Sequence, residues 1–392
     1  MDTNHNDEYF KGFSTKSIHV GQEPDEQTGS VVPPIYLSST YHIWPEHKDH
    51  QYFYQRCNNP TRFALEKCLA SLEHAKHCTI VSSGIASGSV VTLLLSPGDK
   101  IIANADMYGG FLDLFNEFTK KHQNIKVEFC DFSKMENLEK LYTKEVKMIW
   151  IEVPTNPLLK VFDVKLICEW AKKHQVLTVC DNTFLTPYFM NPLDLGVDIV
   201  VHSATKYIGG HSDIILGAIL TNDDKLAQEI VDSQTSYGAC AGPFECYLAL
   251  RGVKTLALRM EAHQTNAMYL ANVLAKHPKV EKVLYPGLET HPGHDIMKKQ
   301  ARGFGGMISF YLKDADAEKA KKFCYLLHLF CMGGSLGGVE SLAIVPFTVM
   351  AHTYSEEKRK EIGFVPNLIR LSIGVENKED LEKDLVDALT KI

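Results

Sequence analysis

The chain of 392 residues is long enough for two or three domains around a large core, and its 41 basic against 48 acidic residues give a net charge of −7, no footprint for nucleic acid or anionic membrane. No apolar run approaches the roughly 18 residues that span a bilayer, and Met1 to Phe10 are too polar and acidic for a secretory signal or transit peptide. The ten cysteines, scattered from Cys57 to Cys331 without a Cys-x-x-Cys pair, fit reduced thiols in a cytoplasmic enzyme better than a disulfide framework or a metal site.

Residues 1–60 lack sustained periodicity and carry the turn signals Glu23-Pro24 and Pro33-Pro34, so this arm is expected to pack on something, such as another subunit. Residues 61–252 alternate helix with short apolar strand. Helical spacing runs over Arg62–His74 and Ser87–Leu95, before the Ser96-Pro97-Gly98-Asp99 turn. Strands are expected at Lys100–Ala103, Lys126–Cys130, Met148–Val153, Leu177–Cys180, Ile199–Val201 and Ile214–Leu220. Several are apolar on both faces, as when helices cover both sides of a mostly parallel sheet. The pattern changes over residues 253–392. Leu256, Met260, His263, Ala267, Leu270 and Leu274 step by four and three, a long helix with one core-packing stripe, stopped at His277-Pro278. His263 is read there as a satisfied core residue. Strand-like runs Met307–Leu312 and Leu368–Val375 and a final helix from about Lys378 to Leu389 complete a smaller α+β domain.

The most informative stretch is Asp198 to Gly217, where Lys206 follows an apolar strand among Ser203, Thr205, Gly209 and Gly210. Burial of a lysine lowers its pKa and yields a neutral amine that can attack a carbonyl. That setting suits a Schiff base to an aldehyde cofactor that also carries a phosphate. Four segments fit the same cofactor. Val81-Ser-Ser-Gly-Ile-Ala86 passes from strand into a helix start around Ser83, Gly84 and Ile85, a natural phosphate seat. Asp181 ends a strand and could keep a ring nitrogen protonated. Tyr108, before Gly109 and Gly110, could stack on the ring and use its hydroxyl in proton transfer. Arg370 lies within an apolar strand, where it needs a carboxylate, either a substrate's or that of a structural Asp or Glu.

Other motifs lead elsewhere. Ser203-Ala-Thr-Lys206 matches Ser-x-x-Lys, but the chain has no Lys-Thr-Gly to accompany it. Gly333-Gly-Ser335-Leu-Gly337 matches a hydrolase elbow, yet the one later histidine, His352, sits just past the nearest acid, Glu340. His291-Pro-Gly-His294 reads as a turn rather than a metal pair, and the lack of a Gly-Lys dipeptide excludes a Walker-type loop.

From roughly Phe13 to Ala388 the chain resembles the Cys/Met-metabolism family of pyridoxal-phosphate (PLP) enzymes. The matching motifs are Tyr54-Gln-Arg56-Cys-Asn-Asn-Pro60-Thr61, Ser82-Ser-Gly84, Tyr108-Gly109-Gly110, Glu152-Val-Pro154-Thr-Asn156-Pro157, Asp181-Asn-Thr183, Ser203-Ala-Thr205-Lys206, Ser335-Leu-Gly-Gly338 and Arg370-Leu-Ser372. The resemblance implies an α/β fold of type I (aspartate-aminotransferase-like), with an arm over 1–60, a PLP domain over 61–252 and a C-terminal domain over 253–392. It makes Lys206 the cofactor lysine, Asp181 the ring-nitrogen partner and Tyr108 the stacking ring and proton donor. Ser83, Gly84, Ile85, Ser203 and Thr205 would hold the phosphate, with Tyr54 and Arg56 reaching a neighbouring subunit's phosphate in a homotetramer of two active dimers. Asn156, Ser335 and Arg370 would hold the substrate carboxylate and ring oxygen.

The implied activity is γ-elimination in transsulfuration: cleavage of L-cystathionine to cysteine, 2-oxobutanoate and ammonia. A γ-synthase or sulfhydrylase acting on an acyl-homoserine, or a methionine γ-lyase, would use the same residues. Gly110 stands where methionine γ-lyases carry cysteine, which favours the cystathionine branch. Gly334 stands where cystathionine-handling relatives carry a glutamate for the distal amine, and Met350-Ala351-His352 replaces their Met-Thr-His. These departures leave room for homocysteine, cysteine or an activated homoserine.

Overall fold

The computed structural model describes residues 10–43 and 52–392. Its larger sheet has seven strands: β1 (His77–Val81), β2 (Lys100–Asn104), β3 (Lys126–Cys130), β4 (Val146–Glu152), β5 (Leu177–Asp181), β6 (Ile199–Ser203) and β7 (Gly217–Thr221). They run in the order β1-β7-β6-β5-β4-β2-β3, and only β7 is reversed. The expected mostly parallel sheet is therefore present, and the period-2 alternation of each strand explains why both faces read as apolar. Ile102, Ile149, Ile151, Cys180 and Val200 enter one core, whereas Ile101, Met148, Trp150, Val179 and Val201 enter the other. Helices α2 (Pro60–Glu73) and α4 (Val164–His174) pack into the first core, and α3 (Gly84–Thr92) into the second.

The expected strand over Ile214–Leu220 begins later, at Gly217, because residues 210–216 wrap around the lysine turn first. Helices α5 (Asp224–Tyr237) and α6 (Pro243–Val253) were not anticipated as separate elements, whereas the edge strand β1 ends at Val81, where the sequence was expected to pass from strand into a helix start. The arm, expected to lack regular structure, holds a short helix α1 (Phe13–His19).

Helix α7 (Leu256–Lys276) leads into the second, five-stranded sheet of β8 (Val280–Leu284), β9 (Met307–Leu312), β10 (Cys331–Met332), β11 (Leu342–Ile344) and β12 (Leu368–Ser372), ordered β10-β11-β12-β9-β8. The long expected stripe on α7 is real but divided: Leu256 and Met260 join the large-sheet core, while Ala267, Leu270 and Leu274 join the small-sheet core. Helices α8 (Ala317–Leu326) and α9 (Lys378–Thr390) cover the same face of the small sheet. Ile369 and Leu371 of β12 face that core, so Arg370 between them faces the large sheet. The His291–His294 segment is a turn, closed by the His294 N–H on the His291 carbonyl. No helix among the described residues is long and apolar enough to cross a membrane.

Candidate active site

A cavity of about 260 Å³ opens at the carboxyl ends of β4, β5 and β6, where α/β sheets place their ligands. Alternation along the strands puts Glu152, Asp181 and Ser203 on the same face as Trp150, Val179 and Val201. Glu152 and Asp181 are register neighbours across β4 and β5. Helix α3 starts above them. Ser83 caps it by accepting the Ala86 N–H (3.0 Å), and Gly84 approaches so closely that a Cβ would stand 2.7 Å from that of Ser203. The first-turn N–H groups of Gly84 and Ile85 thus sit at the cavity wall, at the positive end of the helix dipole.

Lys206 lies on a tight turn after β6, and its Nζ donates to Ser335 Oγ (2.7 Å). Burial and, after it, the charge of Arg370 bring its pKa from 10.5 down to about 8, so its neutral form is far easier to reach near physiological pH than that of a free lysine. Ser335 also links to the arginine: Arg370 Nη2 donates to its carbonyl (3.0 Å), and Nη1 donates to Asn156 Oδ1 (2.9 Å). Arg370 is only 6% exposed, and its Nε has no partner. Of the two readings open for this arginine, a structural ion pair is absent among the described residues: its two partners are a side-chain amide and a backbone carbonyl. A buried guanidinium with donors left over can receive a carboxylate.

Asp181 accepts the Thr183 N–H (2.9 Å), and burial raises its pKa, with Thr183 opposing the rise. Glu152 is pushed higher still, first by burial and then by the Asp181 charge beside it. Its two oxygens accept the N–H groups of Tyr108 (2.9 Å) and Asn156 (2.7 Å). One carboxylate therefore pins both loops that carry candidate residues. Tyr108 packs edge-on against Phe111, and partial burial holds its phenol above the usual value, with Arg370 pulling the other way.

Two expectations change in detail. Thr205 lines the cavity, but its hydroxyl donates to the Leu216 carbonyl (3.1 Å) and accepts the Leu216 N–H (2.9 Å), so it braces the lysine turn. Gly210, taken as part of a phosphate-friendly setting, instead makes room for Arg259, whose Nη1 would lie 2.2 Å from a Cβ there. Tyr54 and Arg56 do not line the cavity. Arg56 Nη1 donates to the Thr235 carbonyl (2.9 Å), and its guanidinium lies over the exposed Tyr54 ring. Glu152, Thr183, Phe184 and Ile215 line the cavity without having been singled out for a role. An acid at the end of a buried strand, as at Asp181, is the signal that also marks Glu152.

These groups fit an aldehyde cofactor with a phosphate and a protonated ring nitrogen. The weakly basic amine of Lys206 suits the aldehyde, the start of α3 the phosphate, and the two crowded carboxylates, Asp181 foremost, a cation. The family model for Cys/Met metabolism PLP-dependent enzymes matches residues 14–390. The chain is 46% identical to a cystathionine gamma-lyase of Dictyostelium discoideum, covering 97% of this chain and 98% of that protein. It is 48% identical to a cystathionine beta-lyase of Lactococcus lactis subsp. cremoris (strain MG1363), over 97% and 99%. The crystal structure of a cystathionine gamma synthase from Xanthomonas oryzae pv. oryzae in complex with aminoacrylate and cysteine superimposes with a TM-score of 0.94 at 39% identity, over 97% and 98% of the two chains.

Proposed function

Because this chain belongs to the Cys/Met metabolism family of PLP-dependent enzymes, we propose that it is a carbon–sulfur lyase that cleaves L-cystathionine at Cγ, giving cysteine, 2-oxobutanoate and ammonia. The observation that carries the reading is the lysine–serine–arginine arrangement: a buried Arg370 with no carboxylate partner among the described residues, joined through Ser335 to a lysine of lowered pKa. An amine and a carboxylate receptor bridged by one residue suit an α-amino acid.

When bound, pyridoxal phosphate supplies an electron sink for the negative charge that develops at Cα. Lys206 holds it, Asp181 keeps its ring nitrogen protonated, and Ser83, Gly84, Ile85 and Ser203 receive its phosphate. Arg370 and Asn156 clamp the substrate carboxylate and so present the Cα proton to Lys206. As a neutral amine, Lys206 removes that proton and then moves protons at Cβ. Tyr108 gives its hydroxyl proton to the departing thiolate. Tyr54 and Arg56 act toward a neighbouring subunit's phosphate, which makes the working unit a dimer.

A second reading, cleavage at Cβ, draws support from the beta-lyase relatives at 48% identity. A substrate panel separates the readings: cystathionine, methionine, homocysteine and cysteine, with an O-acyl-homoserine plus cysteine alongside, scored for thiol and 2-oxo acid. Release of 2-oxobutanoate and cysteine from cystathionine supports the γ reading. Pyruvate with homocysteine replaces it by the β reading, and dominance of methionine or the acyl-homoserine overturns both.

A further inference from the structure

Helix α7 carries three buried polar side chains that the proposed chemistry does not use: Arg259 (6% exposed), His263 (0%) and Asn266 (7%). Spacings of four and three place them on one face, and at 1.5 Å per residue they extend over about 10 Å of the axis. Arg259 lies against the turn that carries Lys206. Its Nη1 donates to the Tyr207 carbonyl (2.6 Å), its Nη2 to the carbonyls of Gly252 (2.8 Å) and Ile208 (3.4 Å), and its Nε to Thr255 Oγ1 (3.2 Å). This cation is held by carbonyl dipoles, with no carboxylate within ion-pair distance among the described residues. Burying it costs several kcal/mol, which an apolar side chain in the same place would avoid. What the guanidinium alone supplies is a cap for the carbonyls that end the lysine turn.

The other end of the stripe meets the arginine strand. His263 Nδ1 donates to the Ile373 carbonyl (2.7 Å), and Asn266 Nδ2 donates to those of Gly374 (3.1 Å) and Glu376 (2.8 Å). These carbonyls follow directly on β12, which carries Arg370. A carbonyl only accepts, so Nδ1 carries the imidazole hydrogen and Nε2 is bare, buried and without a partner. The division of the apolar stripe agrees: the early turns of α7 pack into the large-sheet core and the later turns into the small-sheet core.

We infer that α7 is a spacer that sets the separation of Lys206 and Arg370, with Arg259 fixing the lysine end and His263 and Asn266 the arginine end. The inference rests on the reading that Lys206 and Arg370 serve the amine and the carboxylate of one substrate, and it names the residues that keep them apart. The carboxyl carbon and Cα are one bond apart, so a shift of about 1 Å at either end loses on the order of a hundredfold in productive alignment.

The test compares the cofactor-loaded protein with Asn266→Ala, His263→Leu, His263→Asn and Arg259→Lys. Three quantities are measured: the Kd of an unreactive amino acid, read from cofactor absorbance, the retention of pyridoxal phosphate on gel filtration, and Tm. Asn266→Ala and His263→Leu should weaken the amino acid about tenfold with native cofactor retention, since each loses about 1.4 kcal/mol of carboxylate alignment. His263→Asn, whose amide can donate to the same carbonyl, should stay within about twofold. Arg259→Lys should shed cofactor faster and, because a shift at either end spoils the alignment, should also weaken the amino acid about tenfold in its loaded fraction. Equal movement of both readouts in every variant, or a change in Tm alone, overturns the spacer and leaves core packing. If Arg259→Lys does not fold, the three variants at the arginine end decide. A native protein that binds no pyridoxal phosphate would fail the underlying reading instead.

Discussion

Replacing Arg370 with leucine should separate recognition from folding. The guanidinium has five N–H donors, of which the protein engages one on Nη1 and one on Nη2. That leaves enough for a two-point grip on a carboxylate. Hydrogen bonds to a charged group contribute about 1.5–3 kcal/mol each, so losing two should cost about 3–6 kcal/mol. At about 1.4 kcal/mol per factor of ten, kcat/KM for an α-amino acid should fall roughly 10²- to 10⁴-fold. The folded state should not suffer in proportion, because Arg370 has no ionic partner among the described residues and removing a buried cation offsets the loss of its bonds to Asn156 and Ser335; Tm should change little. The assay is kcat/KM for the amino acid and for the corresponding amine without its α-carboxylate, on native and variant protein. Native protein should discriminate strongly and Arg370→Leu hardly at all. Equal loss for both substrates, or a Tm drop that accounts for the lost activity, would refute the argument.

Tyr108→Phe should lower kcat by about 10² with cofactor retention unchanged, because the ring stays and only the hydroxyl goes; parallel loss of retention in absorbance assays would assign the role to stacking. Gly334→Glu should fold normally, since a Cβ there meets nothing closer than Ile344 Cδ1 at 3.8 Å. It should favour substrates with a distal ammonium by up to about fivefold, an effect that added salt should erode in kcat/KM measurements. Burial holds His263 and His291 neutral, with pKa values brought from 6.5 down to about 4. The unfolded chain therefore takes up protons that the folded chain refuses between those values. Stability from this source is complete above about pH 6.5 and is lost as pH falls toward 4, on the order of 3 kcal/mol per fully shifted group. Melting curves across that range should show the slope, and His263→Asn should flatten part of it.

The sequence exposes the strands whose residues alternate between two apolar cores, and the acids and hydroxyls that end them. Lys206, Asp181, Tyr108 and Arg370 were legible because each is a costly residue type in an apolar or glycine-rich setting. Roles set by contacts distant along the chain were not legible. Glu152 acts on Tyr108 from 44 residues away, and nothing local distinguishes it from another strand-end acid. Gly210 reads as flexibility beside a phosphate, yet its lack of a side chain serves a guanidinium 49 residues later. The stripe on α7 looked apolar because Leu256, Met260 and Leu270 dominate it, which concealed Arg259 and Asn266 between them. The end of the turn, Ile214 to Leu216, could not be told from strand, since these residues continue the apolar run into β7.

The reversed strand β7 has a consequence for where this chain can change. Ser203 and Gly217 are paired across β6 and β7, so residues 204–216 form a loop closed at its base by the sheet itself. Thr205 closes it again one step further in, through both polar groups of Leu216. The entropy of ordering that loop is lost once, when the sheet forms, and none of it remains to be lost when Lys206 meets its partner; only the four-carbon stem is still to be placed. Most surface connections tolerate extra residues at small cost. Here a single inserted residue would move the lysine relative to the carboxyl end of β6, so variation in loop length should be accepted nearly everywhere in the molecule before it is accepted at this site.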